Sequence, residues 1–314
     1  KRRPILKTLV RSYSEEQGDF RRTTKFITDN YHHFRTNSTM TLPRFVDWKY
    51  GLYSSKTSDP AFLENNATLW FDGFGRLVAV LISEDGDSSF SILTVEGYRF
   101  LFEEILRWAV DNWGSRSEKM SVELTEYQRR EIEIVQRNGF RSVWTFCTRF
   151  FDLSAELEER RSIDDGFEII DMETTPEYRE QRILRSNAFE GKTHVSDSEL
   201  EHQLKFYNNT HRSPIYNPWT DLCVKFRDGR HVAGCEALID AWNSTADIER
   251  VCTHSEFRRR GFAKALIIEC LHRLKEMGFK TAGITGFGKE AIKLYGSLGA
   301  SEKMESFIFE LGSR

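Results

Sequence analysis

The sequence has no long apolar segment. None of its apolar runs approaches the roughly 18 consecutive residues that a membrane-spanning helix requires. The opening segment, KRRPILKTLVRSYSEEQ, also lacks the apolar stretch that is typical of a secretory signal. The sequence therefore predicts a globular protein of the cytoplasm with no membrane partner.

Cysteine is scarce and is not arranged in pairs. The five cysteines are widely spaced, mostly among apolar residues, and form no C-x-x-C motif. The histidines show no metal-binding spacing such as H-x-x-x-H. We therefore expect no disulfide framework and no metal site, and we expect small buried thiols at Cys147, Cys223, Cys235, Cys252 and Cys270.

The chain also lacks an excess of positive charge. Its net charge is −3 at pH 7, whereas a dedicated nucleic-acid-binding protein draws its affinity from surplus Lys and Arg. One segment is nevertheless strongly basic, Glu256–Leu266 (EFRRRGFAKAL). Two interpretations suit it, a surface patch that binds nucleic acid or a turn that binds phosphate at the start of a helix. The net charge argues against the first.

The sequence does contain a long internal repeat. Residues 122–153 run beside residues 282–311, and Gly139 stands opposite Gly299, 160 positions further along the chain. Both segments have the pattern of a strand, a short amphipathic helix, a glycine stop and a second strand. The repeat predicts two domains of similar fold.

The boundary between the two halves is predicted from composition. Residues 154–166 are highly charged and contain few large apolar side chains, which suits an exposed linker. We expect one domain over residues 1–153 and a second over residues 167–314. A hydrophobic content of 39% in 314 residues is enough for two buried cores.

The basic segment lies between a predicted strand, 246–253, and a predicted helix, 262–277, whose apolar residues recur at helical spacing. A helix start presents unpaired backbone N–H groups and the positive end of the helix dipole, and therefore binds pyrophosphate well. Gly261 permits close approach of the backbone, and Ala263 keeps the first turn slim. Additional attraction for a polyanion comes from Arg258, Arg259, Arg260 and Lys264.

This segment resembles a known family motif. Arg258-x-x-Gly261-x-Ala263 is similar to the Arg/Gln-x-x-Gly-x-Gly/Ala signature for acetyl-coenzyme A (acetyl-CoA) in the GNAT superfamily of N-acetyltransferases. The preceding residues from Thr253 resemble the Thr-His-Pro-Glu-Tyr-Arg lead-in of many members, with Ser255 where Pro is usual. The tandem layout is similar to that of mycothiol synthase, in which two such domains share one chain.

The resemblance implies a fold, a co-substrate and a reaction. The fold is α/β (α+β), with two tandem GNAT-like domains that each have a mixed, mostly antiparallel sheet flanked by helices. The reaction is transfer of an acetyl group from acetyl-CoA to an amine, without a metal. The residues implied in acetyl-CoA binding are Val251, Cys252, Thr253, Arg258, Arg259, Arg260, Gly261, Phe262, Ala263 and Lys264.

Tyr295 is the candidate general acid. In the superfamily a Tyr in an Ala-x-x-x-Tyr setting protonates the leaving thiolate, and Ala291 to Tyr295 match that setting. A phenol of pKa about 10 can hand a proton to a thiolate of pKa about 8.5. The alternative is a core position on the apolar stripe of the helix. Gly286 and Gly288 stand where the family often has Asn, which puts one polar contact to the cofactor in doubt.

Asp247 and Glu249 are the candidate bases. Both side chains point to one face of the predicted strand 246–253 because strand side chains alternate. Glu249 lies closer to the expected thioester position and is slightly favoured. The alternative is that both acids are solvated and balance Arg250. The resemblance implies that backbone N–H groups from Val251 to Thr253 bind the pantetheine arm and the thioester oxygen.

The first half lacks these parts. Val135 stands opposite Tyr295, and the position of the basic turn is taken by residues 94–101, TVEGYRFL, which have no Arg-x-x-Gly motif. We therefore expect a degenerate first domain that shapes the substrate cleft or stabilises the second domain. We expect substrate selectivity from residues 207–219, a polar and aromatic segment predicted as a loop.

Three functions remain on the sequence alone. The leading one is acetyl-CoA-dependent N-acetylation of a primary amine in a small molecule or peptide. The alternatives are an acyl-CoA-binding sensor or interaction module without catalysis, and a nucleic-acid binder, which the near-neutral charge disfavours. The sequence leaves the acceptor and the oligomeric state open.

Overall fold

A computed structural model of the chain describes residues 8–50 and 59–312. The opening residues 1–7, which form part of the segment used for the cytoplasmic prediction, lie outside the described residues. The chain divides into two compact units. Of the described residues, unit 1 contains 8–49, 59–146 and 304–312, and unit 2 contains 50 and 147–303.

Unit 1 is built around a mixed sheet with an apolar core. The strands follow the order β1-β2-β3-β4-β5-β12, and the pair β4 and β5 is parallel while the other recorded pairs are antiparallel. The amphipathic helix α5 packs on the sheet through Ile105, Leu106 and Ala109, which are fully buried. The elements of the first half are β1 (Leu9–Ser12), α1 (Asp19–Asp29), α2 (Tyr31–Asn37), α3 (Leu42–Tyr50), α4 (Phe62–Asn66), β2 (Ala67–Phe71), β3 (Leu77–Ile82), β4 (Ser89–Thr94), α5 (Phe102–Trp113), β5 (Lys119–Thr125), α6 (Arg129–Arg137) and β6 (Arg141–Asp152).

Unit 2 has the same plan. Its strands follow the order β6-β11-β10-β9-β8-β7, with β10 and β11 parallel and the other recorded pairs antiparallel. A tight turn at Asp228 and Gly229 joins two of these antiparallel strands. The elements of the second half of the sequence are β7 (Phe167–Asp171), α7 (Tyr178–Glu190), α8 (Asp197–Arg212), β8 (Tyr216–Phe226), β9 (His231–Asp240), β10 (Thr245–Thr253), α9 (Phe262–Glu276), β11 (Thr281–Gly286), α10 (Lys289–Gly296) and β12 (Glu302–Gly312).

The sheet of unit 2 carries helices on both faces. Alternate residues of β9 face opposite sides, as strand geometry requires. Gly234 lies against Leu184 of α7, since a Cβ added there would meet its Cδ2 at 3.3 Å. The thiol of the next residue, Cys235, lies within hydrogen-bonding reach of Cys270 on α9. The apolar core therefore lies between the sheet and α9, and α7 covers the other face.

The predicted fold class is confirmed. Two units each have a mixed, mostly antiparallel sheet flanked by helices, and the repeat appears as the succession β5-α6-β6 in the first half and β11-α10-β12 in the second. Gly139 and Gly299 both follow the helix of this succession and both have left-handed backbone angles, with φ of 91° and 72°. Glycine is the residue that adopts such angles without steric cost, which explains why it recurs at this place.

The last strand of each half pairs outside its own half. Residues 281–286 of β11 pair with residues 147–152 of β6, a strand of the first half of the sequence. The C-terminal strand β12 pairs with β5, from Ser306 opposite Thr125 to Gly312 opposite Lys119. The compact units therefore differ from the two sequence ranges, 1–153 and 167–314, that duplication along the chain predicts.

The charged segment 154–166 is exposed over most of its length but is fixed to α9. Arg160 pairs with Glu269 at 2.7 Å and with Glu276 at 2.5 Å. His272 and Lys275 bond the backbone carbonyl groups of Glu158 and Ala155, at 2.9 Å and 2.5 Å. In addition, no helix among the described residues is both long and apolar enough to cross a membrane.

Candidate active site

The candidate site begins where two parallel strands separate. In the described structure, β10 and β11 pair from Thr245 and Thr281 up to Ile248 and Ile284, while β10 continues to Thr253. Among the described residues the two strands are therefore no longer paired with each other from Glu249 onward, which leaves an opening between them. An extended ligand that carries amide groups can hydrogen-bond to an unpaired strand edge as an added strand does.

β10 is irregular at the same place. Its pairing with β9 shifts between Glu249 and Cys252, which marks a β-bulge. Arg250, inside the bulge, has a left-handed backbone with φ of 52°, an uncommon conformation for a residue other than glycine. Cys252 is buried, and burial raises the pKa of its thiol to about 12, so that it stays protonated at neutral pH. The bulge therefore interrupts the regular geometry of β10 where its pairing with β11 ends.

The basic turn follows directly. His254 caps a short 3-10 turn, Ser255–Phe257, by accepting a hydrogen bond from Glu256 N–H at 3.3 Å. Asn187 of α7, which is buried, accepts a hydrogen bond from Ser255 N–H at 2.8 Å. These contacts fix the loop between β10 and α9, and they give His254 a structural role.

The start of α9 has the features of an anion site. Gly261 occupies the N-cap position with φ of 84°, and no side chain caps the helix there. Arg259 is also left-handed, with φ of 66°. A turn with such angles directs successive N–H groups to one side, where together with the helix dipole they favour an anion.

The structure changes the reason for glycine at this position. A Cβ on Gly261 would meet no atom within 4 Å, so the open space around it does not by itself require glycine. The left-handed angle does, because a Cβ raises the energy of that conformation. From the sequence, glycine was expected at position 261 because it lets the backbone approach a ligand closely. The structure instead indicates that glycine is needed there for the left-handed backbone angle.

The basic side chains of the turn differ in their surroundings. Arg260 lies over the rings of Phe167 and Phe262, at 4.7 Å and 5.3 Å from their centroids, and its Nη2 is 2.5 Å from Asp164. Lys264 bonds the carbonyl oxygen of Ser297 at 3.1 Å and pairs with Glu158 at 3.0 Å. These two side chains hold the turn to its surroundings.

Arg258 and Arg259 differ from them. Both are exposed, and neither has an ion-pair partner in the part of the chain that the structure describes. They are therefore the cations of the motif that remain available to an approaching polyanion.

Tyr295 lies in the core of unit 2 on α10, with 6% of its surface exposed. Burial raises the pKa of its hydroxyl above the ordinary value, and the negative charge of Glu249 contributes further. The phenol is therefore protonated throughout the neutral range. Tyr295 is therefore a core residue, which the sequence had left as the alternative, and its hydroxyl also lies within the electrostatic influence of Glu249.

The close approach of α10 to β11 depends on a glycine. A Cβ on Gly286 would lie 3.0 Å from the backbone nitrogen of Ile292 and 3.2 Å from its Cα. A larger residue would push the first turn of α10 away from the strand and would displace Tyr295 with it.

The two candidate bases lie on the face of the sheet that α7 covers. Glu249 is exposed and is the first residue of β10 beyond the pairing with β11. Asp247 stands opposite Gly283 of β11, and its Oδ1 lies 3.2 Å from the place where a Cβ on that glycine would be. Glu249 thus borders the opening itself, whereas Asp247 lies beside the paired part of the strands.

Sequence reasoning missed a buried polar cluster behind Glu249. Strand register places Asp221, Glu236 and Glu249 in a row across β8, β9 and β10. Asp221 and Glu236 are fully buried beside Arg185 of α7, whose Nη2 is 3.5 Å from Asp221 Oδ1 and 3.2 Å from Glu236 Oε2. Burial and the Glu236 carboxylate together raise the pKa of Asp221. Two acids in adjacent strands carry no signal of burial in the sequence alone.

The predicted selectivity loop has a different structure. Residues 207–219 comprise the last turns of α8, a short connection and the first residues of β8. The hydroxyl of Tyr216 donates to Asp221 Oδ2 at 2.9 Å. The ring of His211 lies beside the rings of both Tyr216 and Tyr178. The segment therefore connects the polar cluster to the ends of α7 and α8.

The corresponding region of unit 1 is closed by an ion pair. A 3-10 helix, Glu96–Leu101, leads directly into α5. Arg99 from this segment donates two hydrogen bonds to Glu131 of α6, at 2.9 Å and 2.5 Å, and Glu131 is buried. Val135, opposite Tyr295 in the repeat, is a fully buried core residue. In the repeat, Glu131 of this salt bridge stands opposite Ala291 of unit 2, and the apolar Val135 stands opposite the phenol of Tyr295.

No group of three or more potential metal ligands occurs among the described residues. The five cysteines are buried thiols, as expected.

Part of the chain matches a known protein family. Residues 187–300 match the family model described as the Acetyltransferase (GNAT) family. No curated protein sequence matches the chain significantly.

Solved structures of similar fold cover nearly the whole chain. A GCN5-related N-acetyltransferase from Sphaerobacter thermophilus has a TM-score of 0.67 at 16% identity, covering 97% of this chain and 95% of its own. A tandem GNAT protein from the clavulanic acid biosynthesis pathway has a TM-score of 0.68 at 12% identity, covering 98% of both chains. A GNAT-family acetyltransferase from Colwellia psychrerythraea has a TM-score of 0.55 at 13% identity, covering 96% of this chain and 99% of its own. The chain therefore has the fold of these structures, with two GNAT-like units in tandem, and the match to the GNAT family model lies within the second unit.

Proposed function

We propose that unit 2 is an N-acetyltransferase that moves the acetyl group of acetyl-CoA to a primary amine of a small molecule or peptide by direct attack. The GNAT fold supports acyl transfer from acyl-CoA in general. The observation that carries the proposal is that the pairing of β10 with β11 ends at Ile248 and Ile284, while the start of α9, with the left-handed Gly261 at its N-cap, follows β10 directly along the chain.

The residues present suit acetyl-CoA. The open edge of β10, at Val251 to Thr253, offers backbone groups to the amides of a pantetheine arm. The N–H groups that follow Gly261 suit a pyrophosphate, and Arg258 and Arg259 add long-range attraction. The bound thioester supplies an activated acetyl group.

The chemistry of the acceptor side falls to Glu249. Its carboxylate accepts a proton from the amine as the amine attacks, directly or through a water molecule. Asp247 is the second candidate, but its place over Gly283 sets it back from the opening. Backbone N–H groups near Val251 stabilise the negative charge that develops on the thioester oxygen.

Tyr295 completes the reaction by protonating the departing thiolate. Its raised pKa keeps the phenol protonated at neutral pH, so that a proton is available when the thiolate departs. We propose that unit 1, with the Arg99–Glu131 pair and Val135 at the equivalent positions, does not catalyse the reaction. We also propose a cytoplasmic location, as the sequence predicts.

The test is release of free CoA from acetyl-CoA, measured against a panel of amino acids, polyamines, aminoglycosides and peptides. We expect at least one amine to be acetylated by the wild type, and Glu249→Gln to lower kcat more than Asp247→Asn. Binding of CoA without turnover of any amine would favour the sensor instead. Binding of nucleic acid that weakens steeply with salt, with no effect of acetyl-CoA on the melting temperature, would overturn the proposal.

A further inference from the structure

A chain of buried polar contacts ends at the irregular part of the candidate catalytic strand. It begins at the Tyr216 hydroxyl, which donates to Asp221 Oδ2 at 2.9 Å, and Gln181 donates to Asp221 Oδ1 at 2.7 Å. The guanidinium of Arg185 links Asp221 to Glu236.

The two carboxylate oxygens of Glu236 bind two different arginines. Oε2 accepts a hydrogen bond from Arg185 at 3.2 Å, and Oε1 accepts one from Nη1 of Arg250. Glu236 is fully buried, and the side chain of Arg250 is 18% exposed. An acid in this environment strongly favours a bound cation on each side, because desolvation leaves it without water.

Arg250 is also the residue whose backbone departs from regular strand geometry. Its φ of 52° lies within the bulge, between Glu249, which borders the opening, and Val251. A left-handed residue other than glycine costs energy and persists where its surroundings hold it. The ion pair with the buried Glu236 carboxylate can hold Arg250 in this conformation, because hydrogen bonds between charged groups are stronger than neutral ones.

We propose that Arg250 is a positioning residue, held through its guanidinium by Glu236, which is itself paired with Arg185, so that the bulge directs the Glu249 carboxylate and the Val251 N–H group toward the opening. This inference rests on the function proposed above. It assigns the buried cluster a task in catalysis although none of its members except Arg250 lies on the catalytic strand.

Arg250→Gly is the direct test, carried out on the full chain. Glycine adopts a left-handed angle freely, so the bulge is permitted but no longer held, and Glu236 keeps Arg185 as a partner. We expect kcat for acetyl transfer to fall roughly 10- to 100-fold, because small misplacements of reacting groups have effects of that size. The Kd for CoA should stay within about threefold, because the phosphate-binding turn is untouched. Arg250→Lys should restore part of kcat, since it keeps the charge but not the fork of donors.

Ser244→Gly is the matched control. Ser244, just before β10 begins, is also left-handed, with φ of 55°, but lies in the turn after β9. Equal kcat in Arg250→Gly and Ser244→Gly would overturn the inference. If Arg250→Gly does not fold, Glu236→Gln decides: lowered kcat with unchanged Kd for CoA supports the inference, and wild-type kcat overturns it. If the wild-type chain itself neither binds CoA nor releases it from acetyl-CoA, the proposed function fails, and the inference fails with it.

Discussion

At the scale of the residue, Tyr295 combines two properties that the sequence offered as alternatives. It packs in the core of unit 2, and it lies within the electrostatic influence of Glu249 beside the opening. The core holds the ring in one place, and the hydroxyl of a fixed ring can be aimed at a leaving group. A buried position is thus what a general acid of this kind needs.

Replacement of Tyr295 by Phe tests this assignment. Phe keeps the ring in the core, so the melting temperature and the Kd for CoA should change little. Because the proton donor is lost, kcat should fall by roughly 10²- to 10⁴-fold. The measurement is CoA release with an accepted amine at saturating acetyl-CoA.

The control for Tyr295→Phe is Tyr127→Phe, at an exposed tyrosine of unit 1. It should leave kcat unchanged. Turnover by Tyr295→Phe at the wild-type rate with any accepted amine would show that another group protonates the thiolate.

The residues of a known motif could be found from the sequence, whereas the buried residues that contact the candidate site from other elements could not. The signature around Gly261 and the position of Tyr295 follow from spacing along the chain. Asp221 and Glu236 escaped notice, because acidic residues are exposed by default and the arginine that neutralises them, Arg185, lies on a different element. Contacts between elements that are distant in sequence leave no periodic pattern to read.

At the scale of the element, α9 has a left-handed glycine at each end. Gly261 caps its N-terminus with φ of 84°, and Gly278 follows its C-terminus with φ of 87°. At both positions a Cβ would meet nothing within 4 Å. The two sites impose the same conformational demand, but only the first lies at the proposed phosphate site.

This symmetry gives a matched pair of variants. Gly261→Ala and Gly278→Ala should each lower the free energy of unfolding by about 1–2 kcal/mol, the cost of a left-handed residue with a Cβ. Gly261→Ala alone should also raise the Kd for CoA, by roughly tenfold, because relief of the strain turns N–H groups away from the pyrophosphate. Denaturant unfolding and calorimetric titration with CoA provide the two measurements.

Equal Kd values in the two variants would contradict the assignment of the N-terminus of α9 to phosphate binding. Arg259→Ala complements the pair. We expect it to weaken CoA binding less than Gly261→Ala does, because an exposed side chain contributes attraction at a distance.

The strand and the helix on either side of the basic turn were predicted within a few residues, whereas the segment 207–219 was not. The strand 246–253 and the helix after Gly261 follow strong apolar periodicity, and the structure has β10 and α9 there. Residues 207–219 were predicted as a loop because they are rich in polar residues and contain two prolines. Tertiary contacts override that composition, so that α8 runs to Arg212 and β8 begins at Tyr216.

At the scale of the whole molecule, the repeat is evident in the sequence but the partners of its last strands are not. β6 and β12 have the same pattern and follow the same kind of helix, so pairing within a half or outside it buries similar residues. In the structure β6 pairs with β11, and β12 pairs with β5, so each of these strands pairs outside its own half. Strand order depends on long-range contacts that local propensity does not encode.

Two phenylalanines test this assignment of strands. Phe309 of β12 is buried in the core of unit 1, and Phe151 of β6 is buried in the core of unit 2, each with 2% of its surface exposed. Phe→Ala at either position should cost about 3–5 kcal/mol. Hydrogen exchange should increase in β2 to β5 for Phe309→Ala and in β8 to β11 for Phe151→Ala. Phe74→Ala, at a side chain that is 80% exposed, should change neither. Faster exchange in β9 and β10 than in β3 and β4 for Phe309→Ala would place the C-terminal strand in unit 2, as simple duplication predicts.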